Sequence, residues 1–209
     1  KTGPEIGTFH AICSRFLQEQ GISFQVADEG LQQELAEKTM AEWEEKGSPA
    51  RFLKDLSGVK NLLGTAEGRE VQMYEAYQEK LRLAGALDYD DLLLETLKLL
   101  EKMPEDAPER RGFFHLLIDE FQDINPLQYR LVKEWSRGGR ELFVIGDPDQ
   151  SIYGFRGSDA RCFSRLAEEY PGLRIIRLQE NYRSAPKILS AAMAVISHNE
   201  GEERHMHAA

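Results

Sequence analysis

The sequence lacks any apolar run long enough to span a bilayer, and it shows no signal-peptide pattern. Cysteine is scarce: Cys13 and Cys162 lie far apart, and neither belongs to a metal-ligand spacing. Both cysteines fall in amphipathic helical patterns, so we expect buried free thiols rather than a disulfide. These absences predict a cytoplasmic protein that does not associate with membranes.

An excess of positive charge is also missing, because the formal net charge is −10. This balance argues against wholesale adhesion to polyanions, although a local basic or aromatic groove could still bind nucleic acid. Much of the acidity lies between Glu34 and Glu45, which leaves the Arg-rich later third of the chain close to neutral.

The hydrophobic pattern predicts an α/β fold with a helical insertion. Apolar runs at 113–118, 141–146 and 173–178 predict three strands of a parallel sheet, the first of them buried on both faces. Between them and before them the pattern is helical, and from about Asp28 to Leu87 it is also polar and broken by glycines. We therefore expect three parts: a sheet domain from residues 1–20 and 88–198, a helical insertion at 21–87, and a polar tail at 199–209.

Two carboxylates, Asp119 and Glu120, follow the first predicted strand directly. In open α/β sheets ligands bind beyond the carboxyl ends of the strands. An acid there can hold Mg²⁺, and a second acid can orient or deprotonate a water, as in nucleoside triphosphatases. The alternative is that the two acids belong to a polar loop that caps the helix beginning at Asn125-Pro126.

The other two predicted strands also end in polar segments. Gln150 follows the second strand in a position to sense a phosphate or an attacking water, and Arg183 follows the third. An arginine there can stabilise the charge that develops in phosphoryl transfer, or it can form a salt bridge with Glu180. The pattern predicts that Asp119, Gln150 and Arg183 share one rim of the sheet.

Two aromatic segments are candidates for contact with single-stranded nucleic acid. Tyr153 and Phe155 lie among glycines beside Arg156, so they could stack on bases or could be buried in a tight turn. At the N-terminus, Thr8 is a candidate N-cap and is followed by Phe9 and His10. Phe9 could meet a nucleic-acid strand or pack in the core.

Together these segments resemble the UvrD/Rep family of superfamily-1 DNA helicases. The stretch 117–123 is similar to the family's Walker B motif, 144–157 to its third motif and 181–184 to its fourth. Thr8-Phe9-His10 is similar to its early single-strand contact motif. The resemblance implies an incomplete RecA-like P-loop NTPase sheet that carries the helical insertion.

The resemblance also implies roles for individual residues. Asp119 would bind Mg²⁺, Glu120 would activate water, and Gln150 would couple the γ-phosphate of ATP to the DNA-binding loop. Tyr182 would stack on adenine and Arg183 would contact the γ-phosphate. The residues implied to line the single-strand path are Thr8, Phe9, His10, Tyr153, Phe155 and Arg156. Phe155 replaces the family's usual tryptophan, so a weaker base contact is expected.

A phosphate-binding loop is absent, because no Gly-x-x-x-x-Gly-Lys-Ser/Thr occurs in the sequence. The segment from Gly58 to Thr65 is only superficially similar, since it has no lysine before Thr65 and no preceding strand. The family's later motifs are also absent. We therefore expect this chain to be an internal piece of a helicase that by itself hydrolyses ATP poorly or not at all.

The expected function of the longer protein is ATP-dependent unwinding of duplex DNA or translocation on single-stranded DNA, with 3′ to 5′ polarity as the family implies. Repair or recombination proteins are possible partners. Two alternatives stay open at this point: the motor part of a helicase–nuclease, and a DNA-binding or interaction module that has lost catalysis.

Overall fold

The structure is a computed structural model that describes residues 3–62, 68–104, 107, 113–137, 139, 141–151, 161–198 and 206–208. No helix among these residues is long and apolar enough to cross a membrane.

Helices dominate the described part of the chain. The helices are α1 (Phe9–Glu19), α2 (Glu29–Glu42), α3 (Pro49–Leu62), α4 (Arg69–Leu83), α5 (Tyr89–Lys102), α6 (Pro126–Ser136), α7 (Cys162–Glu169) and α8 (Pro186–Ile196). The strands are short and pair two by two in parallel: β1 (Gln25–Val26) with β2 (Ala86–Leu87), β3 (His115–Ile118) with β4 (Glu141–Val144), and β5 (Glu180–Asn181) with β6 (His207–Ala208).

Some of these helices begin at a residue whose side chain accepts a hydrogen bond from the backbone of the first turn. Thr8 caps α1 by accepting a hydrogen bond from the backbone of Ala11 at 3.2 Å. Asp88 caps α5 and Asn125 caps α6, each in a reciprocal capping box, and Pro126 occupies the first turn of α6. Asn125 itself, rather than the upstream acids, therefore caps the helix that follows the first acidic segment.

The main hydrophobic core joins α1, α5, α6 and α7 to the β3–β4 pair. Its buried members include Leu17, Leu97, Leu131 and Leu166, and both cysteines are buried there as free thiols. The β3–β4 ladder pairs His115 with Glu141 through to Ile118 with Val144, which confirms the expected parallel pairing. The observed mixture of helices and parallel strands is an α/β fold.

The prediction that the first strand is buried on both faces is wrong. Leu116 and Ile118 are buried, but Leu117 is 70% exposed and its ladder partner Phe143 is 50% exposed. The side chains of a strand alternate between faces, and here the core covers only the face that carries Leu116 and Ile118.

The predicted third strand at 173–178 does not form. The described segment 173–179 has no ladder partner, and Ile175, Ile176 and Leu178 are all more than half exposed. A strand is stable only when a neighbour satisfies its backbone groups. Among the described residues, the strand nearest to this segment in sequence is the two-residue β5, which pairs with β6 rather than with β3 or β4.

A second hydrophobic cluster takes all its buried members from residues 27–86. It includes Leu35, Met40, Leu56 and Tyr77, and so unites α2, α3 and α4. It is separate from the main core.

A buried ion cluster links α3 and α4 to the start of α5. Lys60 on α3 lies 2.5 Å from Asp88 Oδ2 and 2.8 Å from Asp91 Oδ1. Gln78 on α4 donates a hydrogen bond to the same Asp91 oxygen at 2.9 Å. Because Lys60 and Asp91 are almost wholly buried, the four side chains of this cluster depend on one another for hydrogen-bond and ion-pair partners.

Candidate active site

The acidic pair lies immediately beyond the carboxyl end of β3, and its backbone turns sharply. Glu120 adopts the left-handed conformation, with φ 51° and ψ 44°, before a single turn of 3₁₀ helix from Phe121 to Asp123. Such a conformation costs a residue with a side chain about 1–3 kcal/mol and persists only where the surroundings enforce it. The Glu120 backbone N–H donates to Asp119 Oδ1 at 3.0 Å, so the pair forms one compact turn.

Gln122 connects this turn to the loop that follows β4. Its side chain is 2% exposed. Gln122 Nε2 donates to Glu120 Oε2 at 2.7 Å, and Gln122 Oε1 accepts a hydrogen bond from the backbone N–H of Asp147 at 3.0 Å. One side-chain amide thus bridges the polar ends of two neighbouring parallel strands.

The loop after β4 continues the hydrogen-bond chain. Asp147 Oδ2 accepts from Gln150 Nε2 at 2.8 Å, and Asp147 Oδ1 accepts from the Asp149 backbone N–H at 3.2 Å. Gly146 is required just before it, because a Cβ there would lie 2.3 Å from Gln122 Oε1 and 2.9 Å from Phe121 N. Glu120, Gln122, Asp147 and Gln150 therefore form one continuous network, called the rim network below.

Arg183 is not joined to this network in the described residues. The expected third strand is not formed, and no hydrogen bond or ion pair of the described residues links the Arg183 side chain to Asp119, Gln150 or Glu180. The alternative salt bridge to Glu180 is not seen among the described residues either, and Glu180 accepts a hydrogen bond from the Tyr182 hydroxyl. The Tyr182 ring is 80% exposed.

The N-terminal candidates lie at the start of α1. Phe9 stacks on Trp135, with ring centroids 5.5 Å apart, and packs against the main core. His10 packs edge-on against Tyr89, with ring centroids 5.4 Å apart. Burial lowers the pKa of His10, and this effect exceeds the opposing influence of Asp90. A neutral imidazole there offers both a donor and an acceptor.

The remaining DNA-binding candidates, Tyr153, Phe155 and Arg156, lie outside the described residues.

Asp119 can supply one ligand to a magnesium ion whose other ligands would be water and phosphate oxygens. Asp119 is exposed, and no described residue donates a hydrogen bond to its Oδ2. Among the described residues there is no group of three or more His, Cys, Asp or Glu side chains that could enclose a metal. One or two carboxylates with water and substrate phosphates are the usual protein contribution to a Mg²⁺ site.

Sequence reasoning singled out the ends of the rim network but missed its middle. Gln122 and Asp147 carry the connection, and both lie inside the motif-like stretches without a role having been predicted for them. A signal was present: a glutamine two residues after an acid at a strand end can reach back to it. The contact between His10 and Tyr89, which are 79 positions apart in sequence, could not be inferred from local pattern.

Comparison with known proteins places these features in a family. Residues 2–171 match the model described as the UvrD/REP helicase N-terminal domain. The ATP-dependent DNA helicase UvrD1 of Mycobacterium tuberculosis is 37% identical over an alignment that covers 94% of this chain and 30% of the relative. PcrA of Bacillus subtilis, also an ATP-dependent DNA helicase, is 35% identical over 93% of this chain and 29% of the relative.

A third relative matches a shorter part. The ATP-dependent DNA helicase srs2 of Schizosaccharomyces pombe is 40% identical over 65% of this chain and 15% of its own length. The chain thus spans at most about a third of the length of these curated relatives. The family model covers well over half of the sequence, and the chain belongs to the UvrD/REP helicase N-terminal domain family.

Proposed function

We propose that this chain is part of an ATP-dependent DNA helicase that couples hydrolysis of Mg·ATP to movement along single-stranded DNA in the 3′ to 5′ direction. The rim network is the observation that carries the proposal. It joins the acidic turn after β3 to the glutamine-bearing loop after β4, at the edge where an α/β sheet binds its ligand.

In this proposal the acidic turn acts on the terminal phosphate. Asp119 would hold Mg²⁺, which when bound neutralises charge on phosphate oxygens. Glu120 would accept a proton from the water that attacks the γ-phosphorus, so that the products are ADP and inorganic phosphate. Gln150 would sense the phosphate from the neighbouring loop. The strained backbone of Glu120 supports this assignment, because such strain is concentrated at functional sites.

Arg183 and Tyr182 are assigned to the nucleotide on the resemblance of their motif. Arg183 would contact the γ-phosphate and Tyr182 would stack on adenine. The exposure of the Tyr182 ring supports a role in stacking, since a free aromatic face is available.

The surface for single-stranded DNA would include Thr8, Phe9 and His10, together with Tyr153, Phe155 and Arg156. The hydroxyl of Thr8 and the neutral imidazole of His10 can form hydrogen bonds with a strand, and the exposed ring of Tyr89 lies beside His10. Base stacking of about 1–3 kcal/mol per base is strong enough to hold a strand and weak enough to release it in each cycle.

The helical residues 21–87 would form an insertion beside the motor sheet. Their separate hydrophobic cluster supports this division, and Lys60 would anchor the insertion to α5. Repair or recombination proteins would be partners of the longer protein, as would duplex DNA.

The test is phosphate release by the longer protein that contains this chain, measured with and without single-stranded DNA and with and without Mg²⁺. The proposal predicts Mg²⁺-dependent ATP hydrolysis that single-stranded DNA stimulates. Absence of hydrolysis in every condition, in a protein that is folded and binds DNA, would refute it.

A further inference from the structure

We propose that Gln122 is a positioning residue with two separable tasks: its amide nitrogen holds the carboxylate of Glu120, and its amide oxygen ties the Asp147–Gln150 loop to the acidic turn. The inference rests on the proposed function, which makes Glu120 the base and Gln150 the phosphate sensor. It goes beyond that function because it names the side chain whose hydrogen bonds couple the acidic turn to the Asp147–Gln150 loop.

The orientation of the amide is fixed by its partners. Asp147 offers a backbone N–H, which can only donate, so the atom of Gln122 that faces it at 3.0 Å is the oxygen. Glu120 offers a carboxylate oxygen, which accepts, so the atom that faces it at 2.7 Å is the nitrogen. A flipped amide would lose both hydrogen bonds, and each end of the side chain therefore has one specific task.

Gln122 has little freedom to leave this position. It is 2% exposed, and its own carbonyl accepts a hydrogen bond from the Ser151 hydroxyl at 3.3 Å. The fully buried Phe121 anchors the preceding residue, and its carbonyl accepts from Cys162 Sγ at 3.3 Å. Gly146 packs closely against the amide, because a methyl group at this position would overlap Gln122 Oε1. The packing thus transmits a displacement of either loop to the other.

Two substitutions separate the tasks. Gln122→Glu keeps an oxygen for the Asp147 N–H but sets a carboxylate against Glu120, so it disturbs the base and spares the tie between loops. Gln122→Met has similar length and removes both hydrogen bonds. Gln128→Glu is the matched control, because Gln128 uses only its oxygen, as an acceptor from Asn125 N at 2.9 Å, and glutamate serves equally well in a capping box.

The experiment measures ATP hydrolysis by the longer protein with these variants, with and without single-stranded DNA. For Gln122→Glu we expect kcat to fall about 100-fold, the scale of a misplaced catalytic group, with KM for ATP and the ratio of DNA-stimulated to basal kcat unchanged. For Gln122→Met we expect kcat to fall and the stimulation ratio to fall toward one. If Gln122 were needed only for folding, both variants would lower the melting temperature. The fall in kcat and the fall in the stimulation ratio would then not separate between Gln122→Glu and Gln122→Met.

Amide hydrogen exchange at Asp147 gives a readout that does not depend on activity. We expect the wild type and Gln122→Glu to be protected and Gln122→Met to exchange faster. Wild-type kcat in Gln122→Glu, or unchanged exchange at Asp147 in Gln122→Met, would overturn the inference while leaving the proposed function intact. If the wild type itself hydrolyses no ATP, the proposed function fails, and the exchange measurement still decides whether Gln122 ties the loops.

Discussion

The ring of Phe9 lies parallel to that of Trp135, with centroids 5.5 Å apart and 18° between the ring planes. Phe113 meets the same indole edge-on at 5.7 Å. Trp135 therefore brings the start of α1 and the approach to β3 together at the end of α6. Phe9 is part of this aromatic group, so a change at Phe9 alters the packing of the domain as well as any surface that it presents to DNA.

This packing predicts that Phe9→Ala lowers the free energy of unfolding by about 3 kcal/mol, at the lower end of the range for Phe→Ala because the ring is only partly buried. His10→Ala, at the neighbouring position, should cost less stability while weakening the affinity for single-stranded DNA. Urea unfolding and fluorescence anisotropy with a labelled oligonucleotide measure the two effects. Unchanged stability in Phe9→Ala would contradict the packing role of this ring, whatever its effect on DNA binding.

The buried ion cluster predicts a pH dependence of stability. Burial, which Lys60 offsets only in part, raises the pKa of Asp91 from its ordinary 3.8 to about 6. An acid whose pKa is higher in the folded state takes up a proton on folding. Asp91 therefore stabilises the fold most at acid pH, and this contribution is lost as the pH rises through about 6.

The substitution Asp91→Asn isolates this effect, because asparagine resembles the protonated acid at every pH. We expect the wild type to gain stability relative to Asp91→Asn as the pH falls from about 7 to about 5, measured by urea unfolding. Asp28→Asn is the control, since Asp28 is an exposed N-cap and asparagine caps equally well. An equal or opposite slope in the two variants would show that Asp91 is not the responsible group.

Glu44 gives a prediction about stability alone. Besides Glu120, it is the other described non-glycine residue with a positive φ, which is 50°. Glu44 follows α2 in a Schellman motif, in which Glu45 N donates to Met40 O at 2.8 Å. Glycine has no steric penalty there, so Glu44→Gly should stabilise the chain by about 1 kcal/mol. Ala41→Gly, inside the same helix, should destabilise it by about 1 kcal/mol. Thermal unfolding of both variants tests the pair, and a loss of stability in Glu44→Gly would contradict it.

The sequence predicted those features that depend on local signals. The helix starts at Thr8 and Asn125 follow from side chains that accept hydrogen bonds from nearby backbone groups, and the β3–β4 pairing follows from two apolar runs separated by a helix. The positions of the acidic turn and of Gln150 beyond these strands follow from the same runs.

The sequence did not predict features that depend on what covers or pairs with an element. An apolar run does not reveal whether both faces of a strand are covered. One face of β3 is not covered, and Leu117 on that face is exposed. The segment at 173–178 has strand composition but no ladder partner in the described part of the chain, so Arg183 is not delivered to the rim network by a third strand. The bridge through Gln122 depends on a side-chain rotamer, which composition does not determine.

The proposed role of Glu120 as the catalytic base is tested by changing its carboxylate to an amide. Glu120→Gln keeps the size of the side chain but removes its capacity to accept a proton, whereas Glu168→Gln makes the same change at an exposed site on α7. ATP hydrolysis by the longer protein and binding of a fluorescent ATP analogue should be measured for both. We expect Glu120→Gln to lower kcat by about 10²–10⁴-fold with nucleotide binding retained, and Glu168→Gln to behave as the wild type. Wild-type turnover in Glu120→Gln would contradict the assignment of Glu120 as the base.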